Sequence, residues 1–248
     1  MKKIFIFLSL IICFPFMASV ALTSDKVGEV MAVKGKANII RADKKMDAGR
    51  KDGILLADTV TTGKDSRLKL LFIDDSLLTL GENSKLSIKE HLTGDDRKRG
   101  RSIFSLVDGR VRAIVGKNRF EIHTPTAVAA ARGTVLIVWL TRTDGVPTTC
   151  NAVLKGMIDT SNIKESIKGI EPVREGYMNC VSDGPPTKPV PIPKELLDEL
   201  IESTSVDEDA DTETPQGGPT DEGDEGGEFP GLPPIEQQPI IPSYGGYG

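Results

Sequence analysis

"IHTPTAVAAARGTVLIVWL", Ile122 to Leu140, holds a histidine, an Arg-Gly-Thr and the single tryptophan of the chain. Its reading decides between a catalytic centre and the middle of a β-sheet. Just upstream, Phe120 and Ile122 alternate with Glu121 and His123, the period of a half-buried strand. Thr124-Pro125 interrupts the ladder, because proline offers no N–H and restricts the residue before it. The small alanines of "AVAAA" allow close approach to a neighbouring strand or sheet. Gly133 allows a bend or a close backbone contact, and "VLIVWL" is a β-branched run suited to a buried strand. The expectation is one kinked core strand, with Arg132 paired to a carboxylate or to carbonyls at the kink. The stretch reads as packing.

Outward from it, residues 26–181 repeat the same period in short pieces. "VGEVMAVKGKANII" is punctuated by Gly28 and Gly35. "RLKLLFIDDSLLTL" puts Leu68, Leu70 and Phe72 on one face, turns at Asp74-Asp75-Ser76, and resumes with Leu78 and Leu80. "IFSLV" and "RVRAIV" flank a turn at Asp108-Gly109. Period-two runs bounded by Gly, Asp and Ser predict an all-β sandwich, barrel or roll, or a solenoid-like body of short strands. After it, "SDGPPTKPVPIP" has five prolines and reads as an extended, semi-stiff exit. "PKELLDELIES" follows as a short amphipathic helix, with Pro193 in its first turn and Leu196, Leu197, Leu200 and Ile201 on one stripe. A helix so short is marginal alone, so docking on the body is expected over meeting a partner.

The 248 residues are unevenly charged. Leu22 to Lys194 carries 29 basic and 21 acidic residues, whereas Glu195 to Gly248 carries 15 acidic residues and no Lys or Arg. The expected layout is a signal peptide at 1–21, a β-domain at 22–140, a β extension of the same body at 141–184, a Pro-rich linker and helix at 185–202, and a disordered acidic tail at 203–248. The tail buries too little apolar surface to offset chain entropy. At the other end, Lys2 and Lys3 precede an apolar run from Ile4 to Met17 and then Ala18-Ser19-Val20-Ala21, the layout of a secretory signal cleaved after Ala21. The run is shorter than a membrane span, and retention as an anchor is the alternative. Cys13 follows a bulky Ile12, which argues against lipidation. An exported, periplasmic or extracellular protein is expected, with no transmembrane segment in the mature chain. Its two remaining cysteines, Cys150 and Cys180, are expected to form one disulfide.

The sequence holds little that resembles chemistry. His91 and His123 stand in no metal-ligand spacing, and both read as structural. There is no G-x-S-x-G elbow and no phosphate-binding glycine loop. Asp74-Asp75 and Asp95-Asp96 sit in turns, where Asp tolerates left-handed backbone. Asp207, Asp209 and Asp211 have calcium-loop spacing, but Thr212 and Gly218 stand where that loop needs glycine and a bidentate glutamate. No catalytic residue, metal site or cofactor is expected. Arg97, Lys98, Arg99 and Arg101 are the candidate binding residues, a basic loop suited to a polyanion or to the protein's own acidic tail. Nucleic acid is not expected, since no aromatic residue is interleaved for stacking.

"TPTAVAAARGT", with Thr124, Pro125, Arg132, Gly133 and Thr134, resembles the signature of the FecR domain family. "ADTVTTGKDSRLKLLFIDDSLLTLGENSKLSI" and "LVDGRVRAIVGK" resemble its upstream course, so the likeness spans about residues 27–140. Ala57 and Asp75 stand where the family commonly has glycine. The resemblance implies the fold and an envelope-binding role. Well-known members are inner-membrane regulators with a cytoplasmic anti-sigma segment, one span and a periplasmic domain that senses a siderophore receptor. Here only Met1 to Lys3 precede the apolar run, so sigma-factor control is not expected to carry over. The leading expectation is a non-enzymatic envelope interaction module, signalling or adaptor, with an envelope protein partner. The alternatives are a structural scaffold binding cell-wall polysaccharide or matrix, and a hydrolase whose groups come from distant strands. A platform for sugar rings is disfavoured by an aromatic content of 5%.

Overall fold

The computed structural model describes residues 26–92, 100–116, 118–143 and 145–206. The chain divides into a unit Met1–Glu213, which contains all of these, and a unit Thr214–Gly248. The signal segment at 1–21, Arg97, Lys98 and Arg99 of the basic loop, and the acidic tail beyond Val206 lie outside the described residues.

In chain order the strands are β1 (Lys26–Lys34), β2 (Ala37–Arg41), β3 (Lys44–Asp47), β4 (Gly53–Leu55), β5 (Thr59–Thr62), β6 (Arg67–Phe72), β7 (Leu77–Leu80), β8 (Lys85–Leu92) and β9 (Arg101–Asp108). They continue as β10 (Arg110–Ile114), β11 (Arg119–His123), β12 (Ala127–Ala131), β13 (Val135–Thr143), β14 (Val146–Lys155), β15 (Met157–Asn162), β16 (Ile170–Arg174), β17 (Tyr177–Val181) and β18 (Val190–Pro191), before helix α1 (Lys194–Ser203). They form two nine-stranded sheets. Sheet I runs β4-β1-β6-β7-β10-β13-β14-β17-β18, and sheet II runs β3-β2-β5-β8-β9-β11-β12-β15-β16. The fold is all-β. Both sheets grow from the same end of the sequence, because the chain passes back and forth between them. It is a sandwich assembled in the manner of a solenoid.

One core fills the space between the sheets. Leu68, Leu70, Phe72, Leu78, Leu80, Val111, Leu136 and Val138 face inward from sheet I, and Ile39, Val60, Leu86, Ile88, Phe104, Phe120, Ile122 and Ile158 from sheet II. Phe72, Phe104 and Phe120 stack in series, with ring centroids 4.9 and 5.1 Å apart. Burying each such side chain contributes about 1.5–3 kcal/mol, so the alternating leucines and phenylalanines specify which face of each strand turns inward.

The opening stretch is not one kinked strand. It is a hairpin, a corner and a third strand: β11 and β12 pair in sheet II, and β13 lies in sheet I. Thr124 closes the hairpin, its Oγ1 accepting from the Ala127 amide (2.9 Å) and bonding Thr149 Oγ1 of sheet I (2.7 Å). Arg132-Gly133-Thr134 makes the corner. Gly133 has φ 58° with open space where a Cβ would stand, so the left-handed backbone alone requires glycine. The Asp108-Gly109 turn is a second corner between the sheets, with Gly109 at φ 77°. At two positions where the family commonly has glycine, the chain is again left-handed: Ala57 has φ 68° and Asp75 has φ 66°.

The outer face of sheet I is closed by α1. Leu200 packs on Ile137 and Ala152, with Trp139, Leu154, Met178, Ile192, Leu196 and Ile201 around them. β13 is therefore buried on both faces, which is why "VLIVWL" shows a continuous apolar run and no alternation. Pro193 caps the helix rather than lying in its first turn, and the helix runs through Ser203, one residue past the expected boundary. The last turn has no basic residue of its own. The body supplies them: Arg67 Nε donates to the Ser203 carbonyl (3.0 Å), and Arg110 Nη1 to Ser203 Oγ (2.9 Å) and Glu199 (3.1 Å). Cations there satisfy orphan carbonyls and complement the helix dipole.

The proline-rich exit is likewise no free spacer. Thr187 bonds Cys180 in both directions, its amide to the Cys180 carbonyl and the Cys180 amide to its Oγ1, each at 2.9 Å. Val190–Pro191 then pairs with Tyr177 and Met178 as the edge strand of the sheet. Cys150 and Cys180, directly opposed on β14 and β17, form a disulfide. Among the described residues no helix is long and apolar enough to cross a membrane.

Candidate functional site

Among the described residues no helix covers the outer face of sheet II, and a cleft of about 710 Å³ opens there. Its lining is Gly100, Arg101, Arg119, Ala130, Ala131, Arg132, Met157, Ile158 and Asp159. Strand direction explains why three arginines meet. Because β10 crosses to sheet I, β9 and β11 become sheet-II neighbours running parallel, in register Arg101↔Arg119. Both strands thus start at the same end of the sheet, and both start with arginine. β12 returns antiparallel to β11 and ends there, delivering Arg132 at the corner. β15 begins beside it with Met157, which is 57% exposed.

Glu121 organises the floor. It is buried, yet its carboxylate lies 3.3 Å from Arg101 Nη2, 3.4 Å from Arg119 Nε and 2.9 Å from His123 Nε2. Burial works to raise its pKa, but the His123 hydrogen bond and the Arg101 guanidinium together outweigh it and hold the carboxyl below its ordinary range. Arg101 also reaches Glu90 at 3.9 Å. Arg132 is different. Among the described residues its guanidinium makes no hydrogen bond or ion pair, so the expected partner at the kink is not there. The corner exposes it, and its backbone carbonyl accepts from Thr134 Oγ1 (3.1 Å), which also donates to the Met157 carbonyl (2.9 Å). The lining therefore offers three guanidiniums against the Asp159 carboxylate, over a Glu121 already engaged. Planar forks of this kind suit bidentate carboxylates and phosphates.

Beneath the cleft, Gly100 has no room for a Cβ, which would strike the Asn118 side chain and the Leu92 carbonyl. Asn118 Nδ2 donates to Leu92 O (3.1 Å) and to Ser102 Oγ (3.0 Å), tying together the two stems of the basic loop. Ser102 Oγ is also bonded to Asp74 Oδ2 (3.2 Å) and His91 Nδ1 (2.9 Å). A serine, a histidine and an aspartate are thus assembled from distant strands. They are not arranged as nucleophile, base and orienter. Ser102 is wholly buried, and the aspartate binds the serine while His91 Nε2 is left without a hydrogen-bond partner, 4.0 Å from Asp74 Oδ1. Burial lowers the His91 pKa, and the Asp74 charge opposes the shift only in part. Among the described residues no group of His, Cys, Asp or Glu is gathered as metal ligands.

Of the residues singled out from sequence, the structure brings Arg101 and Arg132 to one cleft and places Thr124 and Pro125 at the opposite end of β12. Arg119, which completes the trio, had no signal of its own. Only the parallel pairing of β9 with β11, a long-range fact, puts it beside Arg101.

Comparison with known proteins now bears on this surface. Residues 58–159 match the family model described as FecR protein. Over that span the chain is similar to a FecR domain. The matched span begins at the buried Asp58, ends on β15, and contains every residue that lines the cleft. It starts later and ends later than the likeness read from sequence. Two crystal structures of a candidate anti-sigma factor from Parabacteroides distasonis, at 1.65 and 2.50 Å resolution, are similar in structure to this chain. Each is 12% identical, has a TM-score of 0.43 and covers 54% of this chain. This chain covers 59% of that protein's chain. No curated protein matches the chain in sequence.

Proposed function

We propose that this FecR-domain chain is an exported, non-catalytic interaction module of the bacterial cell envelope, a signalling or adaptor component. Its cleft on sheet II takes an acidic segment of an envelope protein partner. The observation that carries the reading is the convergence of Arg101, Arg119 and the unpartnered Arg132 inside the span matched by the family model. Exposed guanidiniums beside an apolar Met157 suit a peptide carboxylate followed by an apolar side chain. Export is supported by the signal-type residues 1–21 and by the Cys150–Cys180 disulfide, which persists in oxidising compartments. Polysaccharide is the less favoured ligand, because the cleft lining contains no aromatic side chain.

The test is site-specific photo-crosslinking in intact cells, with the crosslinker at Ala130 in the wall of the cleft. The expected result is one dominant protein adduct, abolished by Arg101→Gln/Arg119→Gln/Arg132→Gln. Adducts confined to glycan, or protein adducts that persist unchanged in the triple variant, would overturn the reading.

A further inference from the structure

The second feature lies on the outer face of sheet I, where α1 ends. Cross-strand register aligns Lys69 with Thr79 and Thr79 with Arg112, and Arg112 with Ile137 beneath the helix. The next row is apolar, with Ile114 opposite Leu77. These two rows and residues 204–206 enclose a groove of about 300 Å³. Arg112 Nε is buried there and has no hydrogen-bond partner among the described residues. A buried N–H left so incurs a desolvation penalty that an anion would relieve.

The chain supplies such an anion within one residue. Ser203 is held at the Arg67 and Arg110 row, Thr204 is buried, and Val206 lies in the groove itself. The backbone is thus already directed along the sheet when the sequence continues Asp207-Glu208-Asp209-Ala210-Asp211. Each extended residue advances about 3.3–3.6 Å, so carboxylates at 207 and 209 come within reach of Arg112 and Lys69. In an extended segment 207, 209 and 211 share one side, and all three are aspartate.

We infer that residues 207–211 dock intramolecularly on the Lys69–Thr79–Arg112 row, with Asp207 or Asp209 on the Arg112 guanidinium, and lock the end of α1 to sheet I. The inference does not depend on the cleft of sheet II. It gives the first acidic residues of the tail a resting place other than the basic loop at 97–101.

The decisive experiment is timed cleavage by a glutamate-specific protease on the full chain, reading the cut after Glu208 against those after Glu222 and Glu228. Arg112→Gln should accelerate the Glu208 cut roughly fivefold, as expected for about 1 kcal/mol of screened ion pairing, and leave the distal cuts unchanged. About 1 M salt, where the screening length shrinks to about 3 Å, should do the same to the wild type. Because a variant can also loosen the fold, a second reading uses the native side chain. The Arg112 Nε–Hε resonance should shift when the chain is truncated after Val206. An unmoved resonance, or equal Glu208 cleavage in wild type and variant, overturns the inference. Protection that grows with protein concentration overturns it too, since the segment would then sit on a second copy.

Discussion

On the outer face of sheet I, Ile137, Ala152 and Trp139 lie under a helix, and the Cys150–Cys180 disulfide crosses two strands beside it. At the outer face of sheet II, Arg101, Arg119 and Arg132 stand around an open cleft over which none of the described residues folds. Both faces belong to the same sandwich and share one core, so the difference comes from what each strand carries outward. β13 presents apolar side chains on both sides, and β14 adds Ala152 and Leu154 to its outer face, so this surface has to be covered. β11 and β12 present glutamate, histidine, alanine and arginine, which water tolerates. One face has to stay covered, whereas the charges of the other can be altered without uncovering the core.

Removing the disulfide should give the largest effect. Cys150→Ser/Cys180→Ser opens a 30-residue separation and should cost about 3–4 kcal/mol in urea unfolding, with crosslinking through the cleft preserved. A loss below about 1 kcal/mol would mean that neighbouring strands already hold this end of sheet I. Next, Leu200→Ala should cost about 2–3 kcal/mol and release α1, seen as faster amide exchange along β13, since Leu200 is 1% exposed. Unchanged exchange at Ile137 would show that the helix is not what covers this face.

A pH titration probes the floor beneath the open face. The His91 pKa is lowered from 6.5 by burial, so the unfolded state binds a proton more readily than the folded one. Stability should fall as pH drops through 6.5 and below, and level off only under the folded pKa. Glu121, held below its ordinary 4.5, loses its own contribution only in more acid solution, so the two windows separate. Stability measured at pH 7.5 and 5.5 should therefore decline in the wild type and stay flatter in His91→Gln. Equal slopes would acquit the buried network.

Smaller effects test the corners and the arginines. Ala57→Gly relieves a left-handed alanine between β4 and β5 at the expense of extra freedom in the unfolded chain, and should stabilise by about 0.5–1 kcal/mol. A loss of stability would mean that the Ala57 methyl packs usefully. The smallest change in stability, within about 0.5 kcal/mol, is expected for Arg132→Gln, because this guanidinium is exposed and engages none of the described residues. The same variant should lose at least about tenfold in partner affinity. If it unfolds the protein instead, the contrast between the two faces fails.

Periodicity made the strands legible, since Leu68, Leu70, Phe72 and Phe104 do line one core. It could not distinguish a hairpin from a corner. "AAARGTVL" looks like one interrupted strand because both sides of the Gly133 corner are apolar, and only the change of sheet at Gly133 separates them. The continuous run of β13 signalled burial on two faces, but not that residues 194–203 supply the second cover. Arg101 was visible as part of a charge run. Its assembly with Arg119 and Arg132 was not, because local sequence carries no trace of β9 pairing parallel with β11.

The steady rise of strand number along both sheets has a kinetic side. After the first strands, each addition docks on an edge that the preceding residues have just built, so the loops closed at each step stay short even though the protein is all-β. A chain emerging N-terminus first can be completed rung by rung, without waiting for its last segment to pair with its first. The same order makes length negotiable: another pair of strands can extend the growing edge without re-threading any earlier one, as units are added to a ladder.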